Sequence, residues 1–147
     1  MENAQLIGAG LAIGLAGLGV CIGEAKVAKK AIEVLGKNPE IGGTLLTYTI
    51  LFIALVESAA IYGLIVALNI TGAPELGYMQ AIGAGLAIGL AGLGAGIGEW
   101  QVAENALEAI NRNPQAKGQI LTYTILFIAL VESAAIYGLI IALNILG

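Results

Sequence analysis

The residues best suited to chemistry are two glutamates at the centre of long apolar segments. Glu57 lies within ALVESAAIYGLI (54–65), and the same letters recur around Glu132 at 129–140. An ionised carboxylate at mid-bilayer costs about 2.5–3.5 kcal/mol on insertion scales, so such a residue indicates a function. The nearest basic residue is Lys26, two residues from Glu24 but about 200° from it around the helix, so we expect no ion pair with these acids. We therefore interpret both glutamates as ion sites.

A second glutamate accompanies each of these. Glu24 and Glu57 are equally distant from the polar turn between them, and Glu99 and Glu132 have the same relation in the second half. An antiparallel helical hairpin would place the two members of each pair at the same depth. Because two adjacent carboxylates cannot both ionise cheaply, we expect each pair to share a proton or hold a cation.

Hydroxyl groups lie beside each central glutamate. Ser58 and Tyr62 fall at about 100° and 140° from Glu57 around a helix, and supply oxygen ligands and hydrogen-bond donors. The second half repeats them as Ser133 and Tyr137. Oxygen chemistry favours H⁺ or a hard cation such as Na⁺ over zinc or copper. Cys21 stands alone, so we assign it neither a disulfide nor a metal.

The composition predicts an all-α integral membrane protein. Hydrophobic residues make up 59% of the 147 residues and charged residues only 11%. A helix rises about 1.5 Å per residue, so about 20 apolar residues cross a bilayer. The N-terminal MENAQL has no basic region, so we expect the first apolar stretch to be a retained helix. Four apolar stretches are long enough to cross: residues 4–23, 44–70, 79–98 and 119–146.

The chain is a tandem duplication. IGAGLAIGLAGLG occurs at 7–19 and 82–94, and LTYTILFIALVESAAIYGLI at 46–65 and 121–140. Each repeat has a polar turn, at 36–43 and at 110–118. We predict four transmembrane helices arranged as two tandem helical hairpins related as parallel repeats. The predicted divisions are a first hairpin at 1–71, an extracytoplasmic linker at 72–78 and a second hairpin at 79–147.

Charge and small residues indicate how the hairpins are oriented and assembled. All six basic residues lie in or beside the two turns, so the positive-inside rule places these loops in the cytoplasm and both termini outside. Glycine and alanine recur every three or four residues in the first helix of each repeat, which allows close helix packing in lipid. A single dimer contact is the alternative. We favour head-to-tail packing of hairpins into a closed ring.

Together these motifs resemble the c subunit, or proteolipid, of rotary ATP synthases. The resemblance covers both repeats: a Gly-rich first helix, a polar loop containing Asn-Pro, and a mid-membrane glutamate followed by IYGLI. It implies a rotor ring of identical subunits in contact with membrane lipids, with the a subunit of the stator at the ring edge and central-stalk subunits at the cytoplasmic loops. It implies no cofactor, no nucleic acid partner and no catalytic site in this chain, so ATP chemistry would reside in partner subunits.

The resemblance also assigns roles to individual positions. The essential carboxylate matches Glu57 and Glu132, and the first-helix ligand matches Glu24 and Glu99. The remaining ion-binding positions are a serine after the acid, a tyrosine that hydrogen-bonds the carboxylate, and a backbone carbonyl. They match Ser58 and Ser133, Tyr62 and Tyr137, and Leu55 and Leu130. One departure is alanine, at Ala59 and Ala134, where sodium-type rings often have a threonine.

The coupling ion and the competing functions complete the expectations. Ser58 and a second acid look superfluous for a proton alone, so we favour Na⁺ over H⁺, with tentative Na⁺ ligands at Glu24, Glu57, Ser58, Glu99, Glu132 and Ser133. We expect a multi-pass protein of the plasma membrane. The alternative is a small four-helix proton-coupled multidrug antiporter, but Trp100 is the only tryptophan available to surround a cationic drug. A purely structural hairpin would leave the paired acids unexplained.

Overall fold

A computed structural model describes residues 5–147 as four long helices. They are α1 (Leu6–Lys37), α2 (Gly42–Thr71), α3 (Tyr78–Arg112) and α4 (Lys117–Leu146). All four are long and apolar enough to cross a membrane, which confirms the all-α membrane fold. Residues 1–4, the predicted start of the first hairpin, lie outside the described residues.

The turns within the hairpins are shorter than the polar segments of the sequence. Helix α1 continues through its charged end to Lys37, where Glu33 accepts hydrogen bonds from Lys30 (3.1 Å) and Lys37 (2.6 Å). Such pairs, three and four residues apart, support an exposed helix end. Proline has no N–H to continue the helix, so a single 3₁₀ turn follows, at Pro39–Ile41 in the first hairpin and Pro114–Ala116 in the second.

The Gly-rich helices α1 and α3 form the most extensive contact in the chain. A Cβ atom on Gly96 would lie 2.7 Å from the carbonyl carbon of Gly19 and 2.8 Å from the nitrogen of Val20. These are backbone atoms, so the two helices approach too closely at Gly96 for any side chain larger than a hydrogen atom. Gly8 and Gly85 make a similar backbone approach nearer the other end. The prediction of tight packing between small-residue helices is confirmed for this pair.

Each hairpin closes through a glycine on its second helix. A Cβ on Gly63 would lie 2.6 Å from the carbonyl oxygen of Ala12, and one on Gly138 would lie 2.7 Å from that of Ala87. Gly138 is the repeat counterpart of Gly63, and Ala87 that of Ala12. The two hairpins therefore pack internally in the same way, as the duplication predicted.

The contact between the hairpins leaves one face of each uncovered. Helix α2 packs against α3 and α4 as well as against α1, and Phe52 is fully buried beside Ala103, Leu107 and Ile128. Phe127, the counterpart of Phe52 on α4, is 52% exposed. The surface that α2 buries against the second hairpin therefore has an equivalent on α4 that is exposed at the edge of the chain. This is what a head-to-tail repeat presents to a further copy.

Candidate functional site

The central contact of the candidate site joins the two hairpins. The hydroxyl of Tyr62 on α2 donates a hydrogen bond of 2.6 Å to Oε1 of Glu132 on α4. The contact forms because α2 lies against the second hairpin, where it faces both α3 and α4. One oxygen of the Glu132 carboxyl group is therefore held by the tyrosine.

A serine hydroxyl and a backbone carbonyl lie side by side on α2. Ser58 donates a 2.7 Å hydrogen bond to the carbonyl oxygen of Leu55, three residues earlier. A hydroxyl that donates its proton in this way keeps its lone pairs, so the serine oxygen can still bind a cation. Ser133 and Leu130 make the same 2.7 Å contact on α4. The serine and carbonyl oxygens predicted as ion ligands are therefore adjacent on each helix, and their binding of an ion stays a prediction.

Glu99 is the most deeply buried of the predicted carboxyl groups. Its side chain is 0% exposed, and neither of its oxygens has a hydrogen-bond partner among the described residues. Helix α3, which carries Glu99, packs against α4 with Glu132, and α1, which carries Glu24, packs against α2 with Glu57. A buried carboxyl group without donors is unfavourable as a bare anion, so this site requires a proton or a cation.

The grouping of residues differs from the sequence expectation in one respect. We expected Tyr62 to orient Glu57, the carboxylate of its own helix, and that prediction is wrong, because the hydroxyl of Tyr62 binds Glu132. The two side chains point about 140° apart around α2. The tyrosine therefore reaches across the helix–helix contact and joins a hydroxyl group of one hairpin to a carboxyl group of the other.

The remaining predicted ligands are not assembled within one chain. Tyr137 is 64% exposed and Leu130 is 70% exposed on the open face of α4. Glu24 and Glu57 lie on the first hairpin, which has no neighbour on its other side in a single chain. Among the described residues, predicted ligands of both hairpins meet at the Tyr62–Glu132 contact, and the predicted ligands around Glu57 are joined to no second hairpin.

Two features near the site were not predicted from the sequence. The ammonium nitrogen of Lys26 lies 5.5 Å from the ring centroid of Trp100, within the range of a cation–π contact. The Trp100 indole N–H is buried and has no acceptor among residues 5–147. The sequence does distinguish Trp100, because the first repeat has the much smaller Ala25 at the equivalent position. Elsewhere the polar residues Thr47 and Asn69 bond to backbone carbonyls of their own helix.

Comparison with known proteins identifies the family. The family model for the C subunit of ATP synthase matches residues 7–70 and again residues 82–145. The chain belongs to the ATP synthase c-subunit family. It is similar to the chloroplastic ATP synthase c subunits of Cyanidium caldarium, with 45% identity over 73 residues, and of Oedogonium cardiacum, with 48% identity over 73 residues. Each match spans 50% of this chain and 89% or 88% of the relative.

Membership in the c-subunit family explains both the duplication and the acids. One relative aligns with about half of this chain, so a single hairpin is the repeating unit and this chain contains two of them. Proteins of this family are ion-translocating membrane subunits without a catalytic site of their own. The family membership therefore decides against the multidrug antiporter hypothesis.

Proposed function

We propose that this protein is a rotor-ring subunit that carries Na⁺ on Glu57 and Glu132, and that each chain contributes two working sites. The ring would contain identical chains, with the Gly-rich helices α1 and α3 inside and the glutamate-bearing helices α2 and α4 outside. In this arrangement residues 72–78 form an extracytoplasmic linker between the hairpins 1–71 and 79–147.

The observation that carries the proposal is the hydrogen bond by which Tyr62 of the first hairpin holds the Glu132 carboxyl group of the second. The proposed oxygen shell consists of the buried Glu99 carboxyl group, the other oxygen of Glu132, the Ser58 hydroxyl and the Leu55 carbonyl. These are hard oxygen ligands, which suit an alkali cation. Two anions around one Na⁺ would leave a net negative charge in lipid, so one carboxyl group stays protonated when the ion is bound.

The second site would form where two copies of the chain meet. If the contact between copies repeats the contact between hairpins, Tyr137 of one copy binds Glu57 of the next, as Tyr62 binds Glu132 within the chain. Ser133 and Leu130 then supply the hydroxyl and the carbonyl, and Glu24 takes the place of Glu99. The exposed edge of α4 supports this assembly, because its counterpart on α2 is buried.

The mechanism follows from the cost of charge in lipid. A carboxylate that faces lipid must be neutralised by its ion, whereas one that faces the stator can release the ion and remain charged. Rotation moves each glutamate between these surroundings, and central-stalk subunits at the loops Asn38–Ile41 and Asn113–Ala116 would transmit the rotation. The driving force is about 2.3 kcal/mol per charge per 100 mV, so several sites must load in succession.

The proposed orientation places both hairpin loops in the cytoplasm and the protein in the plasma membrane. The six basic residues support it, since all lie at the loop end of the molecule. Single cysteines at Lys37 and Arg112 in a Cys21→Ala background should react with a membrane-impermeant thiol reagent from the same, cytoplasmic side. Reaction from opposite sides would contradict the parallel arrangement of the repeats.

Ion transport into proteoliposomes tests the coupling ion. With the whole ATP synthase reconstituted, ATP hydrolysis should drive Na⁺ uptake that persists when a protonophore is present. Proton pumping that does not respond to millimolar Na⁺ would show that the ion is H⁺. The Glu57→Gln/Glu132→Gln double variant is the control, because it keeps the helical chain in the complex and has no central carboxylate.

A further inference from the structure

The two repeats differ beside the first-helix glutamates. The outer helices are identical over residues 46–65 and 121–140, so both sites have the same serine, tyrosine and central glutamate. The inner helices read GEAK at 23–26 and GEWQ at 98–101. Trp100 thus follows Glu99, whereas the much smaller Ala25 follows Glu24. The two sites of each chain therefore have different inner walls.

Within the chain, Trp100 fills the contact between α1 and α3. A Cβ on Gly23 would lie 3.4 Å from the Trp100 Cβ, and the Lys26 ammonium group lies 5.5 Å from the ring. Lys26 also lines a polar cleft at the loop end, together with Lys29, Lys30, Glu33 and Glu104. Lys26 is exposed at this cleft, while Glu99 is 0% exposed. Lys26, which lines the cleft, is thus within cation–π distance of the indole ring that follows Glu99 in the chain.

At the corresponding contact between two copies of the chain, different side chains occupy the space that Trp100 fills within the chain. Repeat symmetry puts Ala25 of one copy where the indole lies, opposite Gln101 of the preceding copy, the counterpart of Lys26. Cys21 takes the position of Gly96, and its thiol occupies only part of the space that an indole would fill. Because a Cβ at Gly96 would contact backbone at 2.7 Å, Cys21 also keeps the helices further apart at this level.

We infer that the two ion sites of each chain differ in their access to water: Trp100 seals the site within the chain, and Ala25 leaves a water-filled pocket beside Glu24 at the site between copies. Water occupies a cavity when it has room and two to four polar partners. The Glu24 carboxyl group and the Gln101 side-chain amide of the preceding copy provide such partners. The inference rests on the proposed ring, in which sealed and hydrated sites would alternate.

A water-soluble carbodiimide with glycine ethyl ester tests this inference on the purified ring in Na⁺-free buffer. The reagent pair converts carboxyl groups that water can reach into amides, and mass spectrometry of chymotryptic peptides separates Glu24 from Glu99 by their different neighbours. Glu40 in the exposed loop serves as the positive control. We expect Glu24 to react about tenfold faster than Glu99, because a sealed group reacts only through local opening.

Exchanging the two inner-wall residues should reverse the result. Ala25→Trp should slow the reaction of Glu24 to the rate of Glu99, and Trp100→Ala should accelerate the reaction of Glu99. If Trp100→Ala does not assemble, Ala25→Trp and the wild-type ratio still decide the question. Equal rates at Glu24 and Glu99, or no reaction at Glu24 while Glu40 reacts, would overturn the inference.

Transport measured in the same preparations separates this inference from the proposed function. A ring that supports ATP-driven ion uptake but shows equal labelling refutes the difference between the sites and leaves the rotor function intact. A chain that forms no ring, or whose complex moves no ion, would refute the proposed function and the inference with it.

Discussion

Replacing Tyr62 by phenylalanine should weaken ion binding at Glu132 and leave Glu57 unaffected. The substitution removes the 2.6 Å hydrogen bond from the Tyr62 hydroxyl to Glu132 and retains the ring that packs against the apolar cluster around Ile70. A hydrogen bond to a charged group contributes about 1.5–3 kcal/mol. Without it the carboxylate is free to turn away from the ion, so the affinity of that site should fall by about 10- to 150-fold.

Protection of each glutamate against dicyclohexylcarbodiimide provides the assay. The reagent modifies a central glutamate only when its ion has left, so the ion concentration that halves the labelling rate reports affinity. The Glu57→Gln background leaves Glu132 as the reporting group, and Glu132→Gln leaves Glu57. In the first background, Tyr62→Phe should raise the protecting concentration by the expected factor.

The duplicated chain supplies its own control. Tyr137→Phe removes the same hydroxyl from the identical stretch of α4, and in the Glu57→Gln background it should leave the protection of Glu132 unchanged. In the Glu132→Gln background the effects should be exchanged, with Tyr137→Phe weakening protection of Glu57. If Tyr62→Phe instead weakens protection of Glu57, each tyrosine serves its own helix and the pairing between hairpins is refuted.

Two further predictions concern the paired sites and the helix contact. Glu57→Gln and Glu132→Gln should each impair ATP-driven ion uptake, since both sites are loaded in turn during rotation; full coupling in either single variant would contradict two working sites. Gly96→Ala should destabilise the chain by about 1–3 kcal/mol, because its Cβ would meet the backbone of α1 at 2.7 Å. Gly36→Ala, with no atom within 4 Å of the new Cβ, should stabilise α1 by about 0.5–1 kcal/mol. Thermal unfolding in detergent compares the two, and equal shifts would show that the close contact is absent.

Much of the fold and the choice of candidate residues could be predicted from the sequence. The apolar stretches, the Asn-Pro turns and the internal duplication are local features, and they correctly indicated four membrane helices in two hairpins. The cost of a carboxylate in lipid singled out Glu57 and Glu132 without any knowledge of packing. The turn predicted at 36–43 is shorter in the structure, since α1 continues to Lys37 and α2 begins at Gly42.

Only the tertiary structure decided which side chains meet. The angle between Tyr62 and Glu57 is fixed by their own helix. The partner of the Tyr62 hydroxyl depends instead on how α2 lies against α3 and α4, which the spacing of residues in the sequence does not determine. The structure also distinguishes Glu99, fully buried at the contact between hairpins, from Glu24, whose motif is the same but whose neighbour would be another copy. Identical sequence motifs have different neighbours here, because half of the residues around each proposed site belong to the adjacent hairpin.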